Sequence, residues 1–191
     1  MIKNLVFDLG NTLISFDYTD LVKNTEVIEA EQIRLKMFSS DLWNDFMKSD
    51  TMLEKDFIDI YSKNDNEIRV LSSIFNNQKY VIYYPDLYQL INNLKKIGYK
   101  IYLLSNYPTE CFYKHIKYIP IDFDGIIISG EVGCLKPNKD IYELLLNKYD
   151  LRAEETLFFD DLKENLESAN ELGISTMSLK LYRQNGISFD T

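Results

Sequence analysis

Five short apolar runs, separated by helical patterns, constrain the fold of this chain more than any other feature of its sequence. The runs are LVFD (5–8), KIYLLS (100–105), GIIIS (125–129), TLFFD (156–160) and ISTMSL (174–179). Short, nearly continuous apolar runs are typical of parallel strands that are buried on both faces. Apolar residues recur at helical spacing between them, at 86–97, 138–149 and 163–172. The alternation predicts an α/β fold, Rossmann-like, with a doubly wound parallel sheet.

One long region interrupts this alternation. Between about residues 16 and 85 we find no convincing strand run, and apolar residues such as Leu42 and Phe46 recur at spacings of three and four. This pattern indicates several short helices inserted after the first strand. We therefore predict an α/β core of residues 1–15 and 86–191 with a small helical cap of residues 16–85. Ligands bind near the end of the first strand in such sheets, so the cap is a candidate lid.

Polar side chains end three of the predicted strands. Asp8 ends the first strand, Ser105 lies at the end of the second, and Asp160 and Asp161 follow the strand at 156–160. Because the carboxyl ends of parallel strands meet at one edge of the sheet, these groups are expected to share one crevice. Carboxylates repel each other there, and Mg²⁺, which prefers oxygen ligands, relieves the repulsion. We favour Asp161 as the direct ligand and Asp160 as its close neighbour.

The same crevice needs positive charge if it is to bind an anion. Lys136 precedes Pro137, which we place in the first turn of the next helix, where the helix N-terminus favours an anion. The hydroxyl of Ser105 and the backbone N–H of Asn106 add donors. Asn165 lies one turn into the helix after Asp161 and can orient the metal site. The sequence therefore predicts a phosphate-sized positive pocket.

Charge and hydropathy limit the classes of partner expected for this chain. The chain carries 30 acidic and 21 basic residues, a net charge of −9, which disfavours nucleic acid and anionic lipid as partners. No apolar stretch approaches the ~20 residues that span a bilayer. The first apolar run stops at Asp8, too early for a signal peptide, so we expect a cytoplasmic protein without a membrane partner.

Four segments, FDLGNTL, LLSN, LKP and FFDDLKEN, occur in an order that resembles the haloacid dehalogenase-like hydrolase superfamily. The helical insert looks like the small cap of that superfamily. The DLGN-type first motif is similar to the subset that includes sugar-phosphate phosphatases. The resemblance covers the predicted core, and it is the combination of the four motifs that is specific.

The resemblance implies a phosphoaspartyl mechanism. Asp8 would attack phosphorus, Lys136 would act with Ser105 and Asn106 on the phosphoryl oxygens, and water would release phosphate. Mg²⁺ would be held by Asp8, by the backbone carbonyl of Gly10 and by Asp161. Lys136 would thus be both catalytic and substrate-binding.

Gly10 departs from the fuller family pattern, in which an aspartate two residues after the nucleophile protonates the leaving group and later activates water. Glycine can do neither, although its carbonyl remains. Such proton transfer usually contributes about 10²–10⁴-fold in rate. A slow phosphatase, an acid recruited from the cap, or a leaving group that needs little help would each fit.

Three functions remain open from the sequence. The leading one is a Mg²⁺-dependent phosphatase that acts on a small phosphorylated metabolite, a sugar phosphate or similar monoester. A metal-independent 2-haloacid dehalogenase would also use an aspartate nucleophile and tolerate Gly10. A non-catalytic relative that binds a phosphate ligand is the third. Other conspicuous side chains, namely Trp43, Phe46, Phe57 and the Cys111–His115 helix face, are interpreted as packing.

Overall fold

The computed structural model describes residues 1–18, 27–76, 80–182 and 186–190. The strands are β1 (Asn4–Phe7), β2 (Ile14–Phe16), β3 (Val81–Tyr83), β4 (Lys100–Ser105), β5 (Gly125–Ile128), β6 (Thr156–Asp160), β7 (Ser175–Tyr182) and β8 (Gly186–Asp190). The helices are α1 (Val27–Phe38), α2 (Asp41–Met47), α3 (Glu54–Tyr61), α4 (Asp65–Asn76), α5 (Pro85–Lys96), α6 (Thr109–Ile116), α7 (Ser129–Val132), α8 (Lys139–Lys148) and α9 (Lys163–Asn170).

The main sheet has six strands in the order β5-β4-β1-β6-β7-β8. The first five are parallel, and β8 is antiparallel to β7 at the edge. The chain builds outward from β1 to β5 on one side, then returns to build β6 and β7 on the other. The predicted Rossmann-like α/β fold with a parallel sheet is therefore confirmed, and β1 lies at the point where the strand order reverses.

Helices cover both faces of this sheet, as the apolar runs of the strands require. Along β1, Leu5 and Phe7 face a cluster that includes Leu87 of α5, while Val6 faces a second cluster that includes Tyr142 of α8. Helix α5 ends where Gly98 adopts a φ of 111°, a left-handed conformation that suits glycine. Burial on both faces explains why the strands read as continuous apolar runs rather than alternating ones.

Helices α1–α4, which we call the helical insert, have a hydrophobic cluster of their own. Phe46, Phe57 and Leu71 are fully buried in it, and Cys111 of α6 joins it from the core side. The insert lies between β1 and β4 in the sequence, as the apolar spacing predicted. The exact division into a core and a cap at residues 16 and 85 stays a prediction.

The expectation that no strand occurs between residues 16 and 85 is wrong. Strands β2 and β3 pair antiparallel, with Ile14 opposite Tyr83 and Phe16 opposite Val81, at the two ends of that region. Two three-residue strands that pair with each other leave too short a pattern to read. Residues 19–26 and 77–79 of the predicted cap lie outside the described residues. Within the described part of the chain, no helix has the length and apolar character needed to cross a membrane.

Candidate active site

Three neighbouring strands bring the predicted site residues to one edge of the sheet. Strand β1 lies between β4 and β6, and all three are parallel. Asp8 directly follows β1, Ser105 is the last residue of β4, and Asp160 is the last residue of β6. A cavity of about 790 Å³ opens over this edge, and all of the predicted site residues line it. The convergence expected from the strand ends is therefore present.

Two side chains hold the same oxygen of the Asp8 carboxylate. Its Oδ1 atom accepts a hydrogen bond from Ser105 Oγ at 3.0 Å and another from Lys136 Nζ at 2.6 Å. Both donors contact Oδ1, so Oδ2 is the carboxylate oxygen that neither of them engages. Asp8 is only 7% exposed, which leaves it little freedom to turn. The arrangement fixes the carboxylate through one of its two oxygens.

Lys136 is a buried structural centre of the site rather than a surface lysine. Its ammonium group donates to Asp8 Oδ1 at 2.6 Å, to Asp160 Oδ2 at 2.6 Å and to the backbone carbonyl of Leu104 at 2.9 Å. An ammonium has three protons, so these three acceptors match its full donor capacity. Lys136 thus ties the ends of β1, β4 and β6 together.

The position of Pro137 differs from the prediction. Helix α8 begins at Lys139, and Asn138 is its N-cap, since its side chain accepts the backbone N–H of Asp140. Pro137 therefore precedes the helix, and Lys136 reaches the site through the loop before the cap. Asparagine is among the best N-cap residues, which explains why the helix starts there rather than at proline.

Asn106 acts mainly on Lys136. Its carboxamide donates to the carbonyl of Lys136 and accepts from the backbone N–H of the same residue, both at 2.8 Å. Two bonds between a side chain and one backbone unit fix the segment that carries the lysine. The predicted contact of Asn106 with a phosphoryl oxygen stays a prediction and would fall to its backbone N–H.

The two adjacent aspartates have different surroundings. Asp160 is fully buried, and its carboxylate accepts from Lys136, from the side chain of Asn165 at 3.0 and 3.1 Å, and from the backbone N–H of Leu162 at 2.8 Å. Asp161 is only partly buried and accepts from Asn11 Nδ2 at 3.2 Å. Asp160 is therefore committed to the protein, and Asp161 is the aspartate that lines the cavity with fewer bonds.

The site carries more negative charge than the protein alone balances. Burial raises the pKa of the Asp8 carboxyl to about 7; Lys136 lowers it, and Asp160 and Asp161 raise it further. Burial would lower the pKa of the Lys136 ammonium, but Asp160 and Asp8 outweigh it and raise that pKa. Burial and Asp160 also raise the pKa of Asp161. Three carboxylates against one ammonium make this crevice a place where a divalent cation is electrostatically favoured.

The donor set suits a hard cation that keeps part of its water shell. Within residues 1–18, 27–76, 80–182 and 186–190, no group of three His, Cys, Asp or Glu side chains could hold a metal ion alone. Mg²⁺ is usually held by one or two carboxylates together with waters and substrate phosphate. Asp8, Asp161 and the carbonyl of Gly10 all line the cavity, so the residues present fit such an ion.

Removal of the Lys136 charge is expected to destabilise the fold. The variant Lys136→Met leaves Asp8 and Asp160 buried and facing each other without a cation, which we expect to cost about 3–5 kcal/mol in metal-free buffer. Urea denaturation measures this free energy of unfolding. The matched control is Lys139→Met, because Lys139 pairs with Glu171 on the surface; it should change stability by less than about 0.5 kcal/mol. Equal losses of unfolding free energy in both variants would contradict the role of Lys136 in neutralising Asp8 and Asp160.

Cys111 and His115 do not form a catalytic pair. The Cys111 thiol donates to Glu54 at 3.1 Å, and burial together with Glu54 raises its pKa well above 9. His115 Nδ1 lies 3.2 Å from the hydroxyl of Tyr83. The thiol therefore stays protonated and is a poor nucleophile. Both side chains nonetheless line the cavity, which the interpretation as simple packing did not anticipate.

His115 should make the fold sensitive to mild acid. Burial, with Lys114 and Lys117, lowers its pKa from 6.5 to about 4, so the folded state favours the neutral ring. This contribution to stability is complete above pH 6.5 and is lost as the pH falls towards 4. Between about pH 7.5 and pH 5 we expect a loss of about 2 kcal/mol. Urea denaturation of the wild type and of His115→Gln at both pH values tests this. If the variant loses as much stability as the wild type between the two pH values, other groups cause the loss.

Sequence reasoning missed several residues that shape the site. Ser129 is buried beyond β5, accepts the backbone N–H of Tyr107 at 2.9 Å and donates to the carbonyl of Met47 in the helical insert at 2.6 Å. Asn11, with a φ of 56°, positions its side chain on Asp161. Ser129 ends the apolar run at 125–129 and Asn11 lies within FDLGNTL, but neither pattern predicts these contacts. The Asn-Thr pair after Gly10 was a visible signal for a turn, but not for that contact.

Fold and site together define an α/β protein with a carboxylate-rich cavity at a topological switch point. The chain belongs to the haloacid dehalogenase-like hydrolases, since the model of that family matches residues 2–173. The enzyme class predicted from the four motifs, a hydrolase, is thereby confirmed.

Two curated relatives are phosphatases. A sesquiterpene phosphatase from Aspergillus oryzae is 29% identical over 93% of this chain and 89% of its own length. A glyceraldehyde 3-phosphate phosphatase from Methanocaldococcus jannaschii is 26% identical over 94% of this chain and 85% of its own length. The chain thus resembles phosphatases with very different leaving groups, so their names do not specify its substrate.

A solved structure of similar fold contains the ligands expected of such an enzyme. It is a HAD family enzyme from Bacteroides thetaiotaomicron in complex with magnesium and inorganic phosphate. It is 25% identical, has a TM-score of 0.71, and the match covers 94% of this chain and 95% of that chain.

Proposed function

We propose that this chain is a Mg²⁺-dependent phosphatase that hydrolyses a phosphate monoester of a small metabolite, a sugar phosphate or similar ester, through an aspartyl-phosphate on Asp8. The observation that carries the proposal is the fixed Asp8 carboxylate, with Oδ1 held by Ser105 and Lys136 and Oδ2 left for attack. The phosphatase relatives and the magnesium and phosphate bound in the similar structure support it.

In this mechanism Asp8 Oδ2 forms a bond to phosphorus while the bond to the leaving oxygen breaks. Ser105 and Lys136 hold Oδ1 and thereby orient Oδ2 along one direction. As negative charge moves to the phosphoryl oxygens, the Lys136 ammonium, whose three protons are already donated, stabilises it as a nearby positive charge. Asn165 holds the Asp160 carboxylate, and Asp160 in turn holds the Lys136 ammonium. The positive charge of Lys136 is therefore preorganised. Water then attacks phosphorus, releases phosphate and restores Asp8.

Asp8, the carbonyl of Gly10 and Asp161 would hold Mg²⁺. When bound, the ion supplies positive charge that offsets the excess of carboxylates and draws the phosphoryl group towards Asp8. Asn11 positions Asp161 for this role, and the bonds of Asp160 to Lys136, Leu162 and Asn165 keep that carboxylate out of the ligand set.

Metal removal is the experiment that tests this function. Phosphate release from p-nitrophenyl phosphate, acetyl phosphate and a panel of sugar phosphates is measured with Mg²⁺ and after chelation. We expect chelation to lower the rate by at least about 10²-fold, and added Mg²⁺ to restore it. Halide release from 2-haloacids without metal would instead favour the dehalogenase. Tight phosphate binding with no turnover of any ester would favour the non-catalytic relative.

A further inference from the structure

The cavity over Asp8 has one polar end and one aromatic end. The polar end consists of the site residues described above. Away from it, rings contributed by β2, the residues after it and the helical insert line the space. These are Phe16, Tyr18, Phe38, Trp43 and Phe75. The interpretation of Trp43 as pure packing is therefore incomplete, whereas Phe46 and Phe57 are fully buried in the insert, as expected.

This aromatic lining begins beside the nucleophile. A Cβ atom built on Gly10 would lie 3.9 Å from Cε2 of Phe16, so the ring stands next to the position where the fuller family pattern places an acid. The Phe16 ring stacks on Tyr18 with centroids 5.9 Å apart and planes 2° apart. The guanidinium of Arg34 lies 5.4 Å from the Tyr18 ring centroid. A leaving group that departs from phosphorus on this side would meet several aromatic rings.

The charged groups along this wall are already engaged. Arg34 makes two hydrogen bonds to Glu31, at 2.9 and 2.6 Å. Glu54 accepts from the Cys111 thiol at 3.1 Å and forms a salt bridge with Lys114. A polyhydroxylated leaving group would lose hydrogen bonds to water on entering and would compete with these pairs for the same charged groups.

We propose that the leaving group of the substrate is a largely apolar alcohol or phenol. The inference rests on the phosphatase function proposed above and narrows its substrate class away from sugar phosphates. The reaction is hydrolysis of the phosphate ester. The electron pair of the broken P–O bond stays on the alcohol oxygen, which takes its proton from water because Gly10 supplies none. The phosphoryl group passes to Asp8 and then to water.

Substrates matched in reactivity test this proposal with the wild-type protein. Hexyl phosphate and glucose 6-phosphate are both esters of primary alcohols, and 1-naphthyl and phenyl phosphate are both esters of phenols. We expect kcat/KM to be at least about tenfold higher for hexyl than for glucose 6-phosphate, and for naphthyl than for phenyl phosphate, because apolar groups gain this much in an apolar pocket. Equal or better turnover of glucose 6-phosphate would overturn the proposal.

Two variants locate the preference in the cavity. Phe16→Ala should lower the naphthyl-to-phenyl ratio of kcat/KM at least about fivefold. If that variant does not fold, Phe38→Ala, at an exposed position of α1, replaces it and should lower the same ratio. The control is Tyr113→Ala, since Tyr113 is 57% exposed and lies outside the cavity; its ratio should match wild type. An unchanged ratio in the cavity variants would also overturn the proposal. The two levels are distinguishable: failure to hydrolyse acetyl phosphate and every ester contradicts the phosphatase, whereas turnover without apolar preference contradicts only the substrate class.

Discussion

Asp8→Asn is expected to lower the rate of phosphate release by about 10⁴–10⁶-fold at saturating substrate and Mg²⁺. Asparagine has nearly the same shape, and its carbonyl oxygen can accept the bonds from Ser105 and Lys136 that now reach Oδ1. What it lacks is a nucleophilic carboxylate oxygen. The loss should therefore appear in kcat, and the variant should still bind a phosphate ester. Steady-state kinetics with a coupled phosphate assay measures it.

The control for this variant is urea denaturation, which shows whether the fold is intact. Asp8 is buried with a pKa raised to about 7, so its charged form is costly in the folded state. Removing that charge leaves Lys136 paired with Asp160, and we expect the urea midpoint of Asp8→Asn to be unchanged or higher. A variant that kept more than about one per cent of wild-type turnover would show that Asp8 is not the nucleophile.

Gly10→Asp is expected to raise the rate with alkyl phosphates by about 10²-fold or more, because it restores an acid and base at the leaving group. The backbone admits the change: Gly10 is outside the left-handed region, and the added Cβ would meet only Phe16, at an ordinary 3.9 Å. With p-nitrophenyl phosphate, whose leaving group needs little protonation, the gain should be only a few-fold.

Gly10→Asn separates proton transfer from shape. It adds the same number of side-chain atoms without an ionisable group, so it should give no acceleration with either substrate. The measurement is kcat/KM for hexyl and p-nitrophenyl phosphate in the three proteins across pH. Equal gains for aspartate and asparagine would show that the added side chain acts by packing, and no gain for either would show that the site obtains its proton elsewhere.

The α/β core could be predicted well because its strands are buried on both faces. Burial on both faces requires apolar residues at successive positions, and a run such as KIYLLS shows that requirement directly. Strands β2 and β3 could not be read in the same way, since each has only three residues and the two pair with each other. The start of α8 was misplaced because proline and asparagine are both start signals, and only the observed cap bond distinguishes them.

The residues that line the cavity at this edge of the sheet could be predicted, but not their contacts. Asp8, Ser105 and Asp160 end parallel strands, so topology alone brings them to one edge. That Lys136 would donate to Asp8, Asp160 and the Leu104 carbonyl together follows from no local pattern. Neither does the pairing of Asn106 with the Lys136 backbone, which gives the asparagine a different immediate task from the one its position suggested.

The sequence by itself determined the fold class, the family and the carboxylates that end the parallel strands, because these depend on short apolar runs and on residues adjacent to them. Only the tertiary structure decided which aspartate is buried and which lines the cavity, and that a phenylalanine ring stands beside Gly10. Those features depend on contacts between segments far apart in the chain, such as Lys136 with Asp8 and Asn11 with Asp161. Packing sets these distances, and no local residue order encodes them.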